Sequence, residues 1–127
     1  MSEAITRGVA VTVRAFYVAE RSDPSQDYYF FAYRVRISNV GEETVQLISR
    51  HWIITDGEDH VEEVKGPGVV GEQPVLAPQQ DFEYTSACPL RTPVGTMQGT
   101  YQMVLESGEG FDAEVAPFTL AVPNTLN

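Results

Sequence analysis

Glu63-Val64-Lys65-Gly66-Pro67-Gly68-Val69-Val70-Gly71-Glu72-Gln73-Pro74 is the stretch on which the fold turns. Gly66, Gly68 and Gly71 have the spacing G-x-G-x-x-G, which in a dinucleotide-binding fold follows a parallel strand and opens a helix whose free N–H groups hold a pyrophosphate. No helix forms easily here. Pro74 and Pro78 lack backbone donors and press Gln73 and Ala77 towards extended geometry, and Pro67 stands between the first two glycines. The stretch therefore reads as a loop between strands. What remains of the phosphate reading is a nest, successive N–H groups converging on an anion with no Rossmann unit around them. The plain structural loop is favoured over it.

On the N-terminal side of the loop the chain alternates with period two, the signature of half-buried strands. Val9, Val11 and Val13 share one face of the first, which continues through Phe16 and Val18 to a polar loop at Glu20–Ser25. Tyr29, Phe31, Tyr33, Val35 and Ile37 form the core face of the next, with Arg34, Arg36 and Ser38 opposite, and Asn39-Val40-Gly41 turns the chain. The segment from Thr44 to Asp56 keeps no single register: Val45 and Leu47 share one face, and Ile48, Trp52 and Ile54 the other. Either a bulge near Ser49 and Arg50 or a central strand covered on both sides accounts for this. Arg50 reads as snorkelling at an edge and His51 as satisfied by a neighbouring carbonyl.

Asp56-Gly57 is a hairpin-type pair. Asp56, Glu58, Asp59, Glu62 and Glu63 crowd it, and Asp56, Glu58 and Asp59 with His60 are the candidate ligands for a divalent cation. Their spacing is wrong for an EF-hand, and a solvated hairpin is favoured. Beyond Pro78, Asp81–Ser86 alternates polar and aromatic residues up to Cys88-Pro89, read as a packed corner that ends the strand. Cys88 with His51 or His60 as base has no sequence neighbour to lower its pKa, so nucleophilic catalysis is disfavoured. Met97, Gly99, Tyr101, Met103 and Leu105 line one face of a later strand, with Gly99 marking a bulge or a close backbone approach. Phe111–Val122 reads as a last strand broken at Pro117, and residues 123–127 as a frayed tail.

The length is that of one domain, 1–127, with its core at about 9–122. A formal net charge of -10 repels a phosphate backbone, so nucleic acid is not expected as a partner. A single cysteine excludes an internal disulfide and fits a reducing cytoplasm, and no apolar run approaches the ~20 residues of a membrane-spanning helix. Short strands, frequent turns and no amphipathic helix give an all-β fold, an antiparallel two-sheet sandwich of immunoglobulin-like or fibronectin type III-like kind.

Five runs also carry a family resemblance: Arg50–Asp56, Glu63–Pro78, Tyr84–Ser86, Cys88–Leu90 and Gly95–Met103. Together they resemble the bacterial ApaG family from about Val9 to Val122. Pro78-Gln79-Gln80 and Ala87 depart from its pattern, in turns and not in the glycine loop. The resemblance implies a fibronectin type III-like sandwich linked to cobalt and magnesium efflux or resistance. Related domains in F-box and polymerase-interacting proteins imply protein binding. It also implies a pyrophosphate site at Gly66, Gly68 and Gly71, which Lys65, Arg50 or Arg91 would assist where the fold brings them near. The reading that results is a non-enzymatic, cytoplasmic protein-interaction module with no cofactor and no membrane insertion. Pyrophosphate or nucleotide binding by the glycine loop is the alternative, and a divalent cation at the acidic turn the third.

Overall fold

The computed structural model describes residues 1–124. Nine strands run antiparallel: β1 (Ser2–Thr6), β2 (Val9–Tyr17), β3 (Tyr29–Asn39), β4 (Val45–Asp56), β5 (Val61–Pro67), β6 (Val75–Leu76), β7 (Asp81–Leu90), β8 (Val94–Leu105) and β9 (Gly110–Ala121). One sheet has the order β1-β2-β3-β7 and the other β5-β4-β8-β9, with β6 beside β4. The inner faces meet in one core, where Phe31, Val35, Leu47, Tyr101 and Leu120 are fully buried. This is the expected sandwich. Trp52 sits edge-on to Tyr101 and Phe118 at its centre, and its indole N–H has no acceptor among the described residues. No helix among the described residues is long and apolar enough to cross a membrane.

The valine, aromatic and methionine alternations bury the faces they predict. Several details differ. β1 precedes the first expected strand, joined to β2 by Arg7-Gly8 with φ of 47° and 83°. Arginine seldom takes that conformation, so the pair gives no turn signal. β7 continues through Cys88 and Pro89 to Leu90 instead of ending there. At Pro117 β9 bulges and keeps its pairing, the register shifting between Met97 and Gly99 on β8. Of the tail expected to fray, Thr125, Leu126 and Asn127 lie outside the described residues.

The irregularity in β4 is a bulge, one residue earlier than expected. Leu47 pairs with Met103 and Ser49 with Gln102, so Ile48 is the extra residue and turns outward. Ile48 therefore does not share the buried face with Trp52 and Ile54. After the bulge, Arg50 falls on the same side as Trp52 and Ile54, opposite the buried Tyr101. A guanidinium is thereby directed towards the inside of the sandwich.

One side of the sandwich is closed where β1 meets β9: Glu114 N donates to Thr6 Oγ1, and Arg7 pairs with Glu109 while lying over the Phe111 ring. On the other side, β5 and β7 are the outer strands of their sheets. Within the second sheet β4 and β8 approach closely at Gly99, where a Cβ would overlap the carbonyl oxygen of His51. Gly99→Ala is expected to lower stability by about 2–3 kcal/mol. Gly110→Ala, whose Cβ would lie 3.7 Å from its nearest neighbour, should stay within about 0.5 kcal/mol of the parent. Urea unfolding of both variants checks the difference.

Candidate functional site

The glycine loop interrupts the partner that β4 has along one edge. β5 pairs with Ser49 to Thr55 and β6 with Val45 and Gln46, and between them the chain leaves the ladder opposite the Ile48 bulge. The bulge leaves the Ile48 carbonyl without a strand partner, and the loop supplies two donors to it: Gly68 N and Gln73 Nε2, both at 2.9 Å. Leu47 N donates to the Pro74 carbonyl at 3.0 Å, which carries the pairing across the gap.

Each glycine has its own structural reason. Gly66 pairs with Arg50, and a Cβ there would meet the guanidinium carbon at 3.1 Å, so the bare backbone makes room for the group. Gly68 has φ +59°, and its Cβ would overlap the Glu72 carbonyl oxygen. Gly71, at φ +81°, is the second residue of a two-residue reversal between Val69 and Glu72, which exchange N–H···O bonds of 2.8 Å. Such a reversal needs positive φ at both central residues, and the first is Val70 at +44°.

On the Arg50 side, the loop presents carbonyls. Arg50 Nη1 donates to the carbonyls of Pro67 at 3.0 Å and Gly68 at 2.9 Å, while the N–H groups of Gly68, Val69 and Glu72 are spent on backbone carbonyls. Carbonyls converge here, on a cation the chain itself provides. The other expected helpers are not gathered with Arg50. Lys65 is opposite His51, on the outer face. Arg91 lies at the far end of β4, in an open groove of about 910 Å³ that Ile54, Val61, Pro89 and Leu90 also line.

The acidic turn borders that same groove through Asp56, Glu58, Asp59, His60 and Glu62. Asp56 is the organiser of its own turn: Oδ1 accepts from Glu58 N at 2.8 Å and His60 N at 3.0 Å, and Asp59 takes φ 64°. Among the described residues no three His, Cys, Asp or Glu side chains are grouped to hold a metal ion. His51 binds the Glu63 carboxylate at 3.0 Å, where a carbonyl partner was expected.

Cys88 is buried, and burial, with a smaller contribution from Glu62, pushes its thiol up to about 11. That is the reverse of what a nucleophile needs. Burial likewise raises Tyr33, Tyr84 and Tyr101, the last two joined through their hydroxyls, against the opposing charge of Arg50. Sequence reasoning placed Tyr33 and Tyr101 on core faces and Tyr84 on a half-buried strand, and missed their shared proximity to Arg50, which depends on how the two sheets stack.

Arg50→Ala is expected to cost about 1–3 kcal/mol, and Arg50→Lys to recover little of it, because an ammonium lacks the planar guanidinium that lies against Gly66. Pyrophosphate should leave the thermal midpoint of the parent protein unchanged; a rise abolished by Arg50→Ala would restore the anion site. Folding holds Cys88 and the three tyrosines protonated above their ordinary values of 9.0 and 10.0, so the unfolded chain loses these protons first. Stability should therefore be full below pH 9 and fall as pH rises through the range from there past 11. Denaturation midpoints across that range test this.

Comparison with known proteins places the geometry. A family model for the ApaG domain matches residues 19–105. The chain is 58% identical to Protein ApaG of Thiobacillus denitrificans over 127 residues, covering 100% of both. It is 60% identical to Protein ApaG of Bordetella pertussis over 119 residues, 94% of this chain and 91% of that one. A crystal structure from Bordetella pertussis superposes with a TM-score of 0.90 at 60% identity, covering 92% of this chain and 95% of the other.

Proposed function

The chain belongs to the ApaG-domain family, and from that premise we propose that it acts by holding another protein rather than by turning over a substrate. The observation that supports this reading is Val70. A β-branched residue at φ +44° is a strained outlier, and Val70 is also 57% exposed at the tip of the glycine loop. Left-handed backbone costs an ordinary residue about 1–2 kcal/mol, and Val70 stays more than half exposed. The reversal needs that φ but not a valine side chain, so a β-branched residue kept there points outward, to a contact made elsewhere.

The neighbours of Val70 extend that surface. Ile48 is turned outward by the bulge that the loop clasps, and Val75 is 57% exposed where β6 pairs beside it. Three apolar side chains thus stand around a corner whose backbone is fixed by the Ile48 and Arg50 hydrogen bonds, a rigid docking point rather than a mobile loop. In this reading a role in cobalt and magnesium efflux runs through the bound protein, in the cytoplasm, and not through ions held by this chain.

Val70→Asn converts the tip into an Asn-Gly pair suited to positive φ, and should stabilise the fold by about 1 kcal/mol while removing the docking side chain. In cells, a photocrosslinker at Val75 is expected to give a discrete adduct that Val70→Asn and Ile48→Ser each abolish, while one at Thr119 on the exposed face of β9 gives none. Equal adducts from both positions, or adducts indifferent to Val70, would end the proposal.

A further inference from the structure

The outer face of the β1-β2-β3-β7 sheet carries an arrangement of charge that stability does not explain. The register sets Arg14 directly opposite Arg34 across β2 and β3. Directly opposed side chains have Cβ atoms about 4.5–5.5 Å apart, and like charges there weaken the pair. Arg34 reaches Glu83 at 3.0 Å and Arg36 reaches Asp81 at 2.8 Å, but Arg14 has no ion-pair partner among the described residues. Next to this row the same face turns apolar. Phe16 is opposite Ala32, Ala32 opposite Ala87, and Phe30 opposite Pro89. Phe16 is 48% exposed, and Arg21 lies over the Phe30 ring at 4.8 Å on the far side of the strip.

Arg14, Arg21, Arg34 and Arg36 are half of the chain's 8 lysines and arginines in a chain of formal net charge -10, and Arg14, Arg34 and Arg21 flank one apolar strip. We infer that this face binds an acidic segment of a partner protein, extended across the strands, with an apolar side chain on Phe16 and Ala87 and carboxylates on Arg14 and Arg21. Charge complementarity selects the occupant. A nucleic acid carries its charge beyond the patch and over an acidic surface, where it is repelled, whereas a short peptide confines two or three carboxylates to the arginines. The unpaired Arg14 supplies a donor fork with no internal carboxylate to displace. This face belongs to the sheet opposite the glycine loop, so Val70→Asn leaves it intact and the two proposals fail independently.

Backbone-amide NMR of the whole chain, titrated with an acetylated nonapeptide whose odd positions read Glu, Glu, Phe, Glu, Glu and whose even positions are Ser, so that one face of the extended chain carries both the acids and the apolar side chain, tests it. The expected result is saturable shifts confined to the outward residues of β2, β3 and β7, with affinity falling about tenfold in Arg14→Glu, in Phe16→Thr and with the Gln-for-Glu peptide. Arg14→Glu should unfold at the same temperature as the parent or higher, since it replaces a like pair with an opposite one. Absence of saturable shifts, equal binding of the uncharged peptide, or tighter binding of a nine-residue oligouridylate would overturn the inference. So would a lowered melting temperature in Arg14→Glu, which assigns Arg14 to the fold. Concentration-dependent shifts on this face without peptide would overturn it too, by assigning the face to a second copy of the chain.

Discussion

Arg50 on the inner side of the sandwich is the constraint that shapes the middle of the molecule. Arg50 is half-buried, so its guanidinium gives up part of its hydration and gains from acceptors that the protein supplies. The carbonyls of Pro67 and Gly68 are those acceptors, and they converge because Gly66 and Gly68 carry no side chain to block the approach. The Ile48 bulge is the other half of the arrangement. It brings Arg50 to the inner face and frees a carbonyl that Gly68 and Gln73 then satisfy. Bulge and arginine are each hydrogen-bonded to the glycine loop, so removing either leaves polar groups of the loop without their partners, and removing the loop does the same to both.

That unit gives the glycine spacing a meaning different from its dinucleotide one. In a Rossmann turn the glycines let N–H groups approach phosphate. Here they let carbonyls approach an arginine and let a hairpin reverse at Val70 and Gly71. The same residues at the same spacing serve opposite polarities, and the deciding difference lies on their C-terminal side, where Pro74 and a short strand stand in place of a helix.

The strands were legible because burial on one face leaves a period of two in the residues themselves, as in Val9–Val13 and Met97–Leu105. The prolines after the loop were informative for the same local reason, since each limits its own backbone and its neighbour's. Less was visible where structure depends on distant partners. Ile48 is apolar yet exposed, so its composition points the wrong way and the bulge was displaced by a residue. Arg91 was grouped with the glycine loop by its charge, but β7 delivers it to the acidic groove at the other end of β4. The positive φ of Arg7 and Val70 has no compositional mark, because neither residue type favours it. Opposed arginines on β2 and β3 become evident only when the register between those strands is known.

The first sheet also imposes an order of events on synthesis. β1, β2 and β3 form a local meander, but the remaining edge of β3 pairs with β7, from Tyr29 opposite Leu90 to Ser38 opposite Asp81. The whole of β4, the acidic hairpin and the glycine loop must leave the ribosome before that edge is covered, which at ordinary translation speeds takes some seconds. For that interval the nascent chain exposes an unpaired strand rich in tyrosine and phenylalanine. The arginines spaced along β3 then act as gatekeepers, holding neighbouring nascent chains apart until their acidic counterparts on β7 arrive.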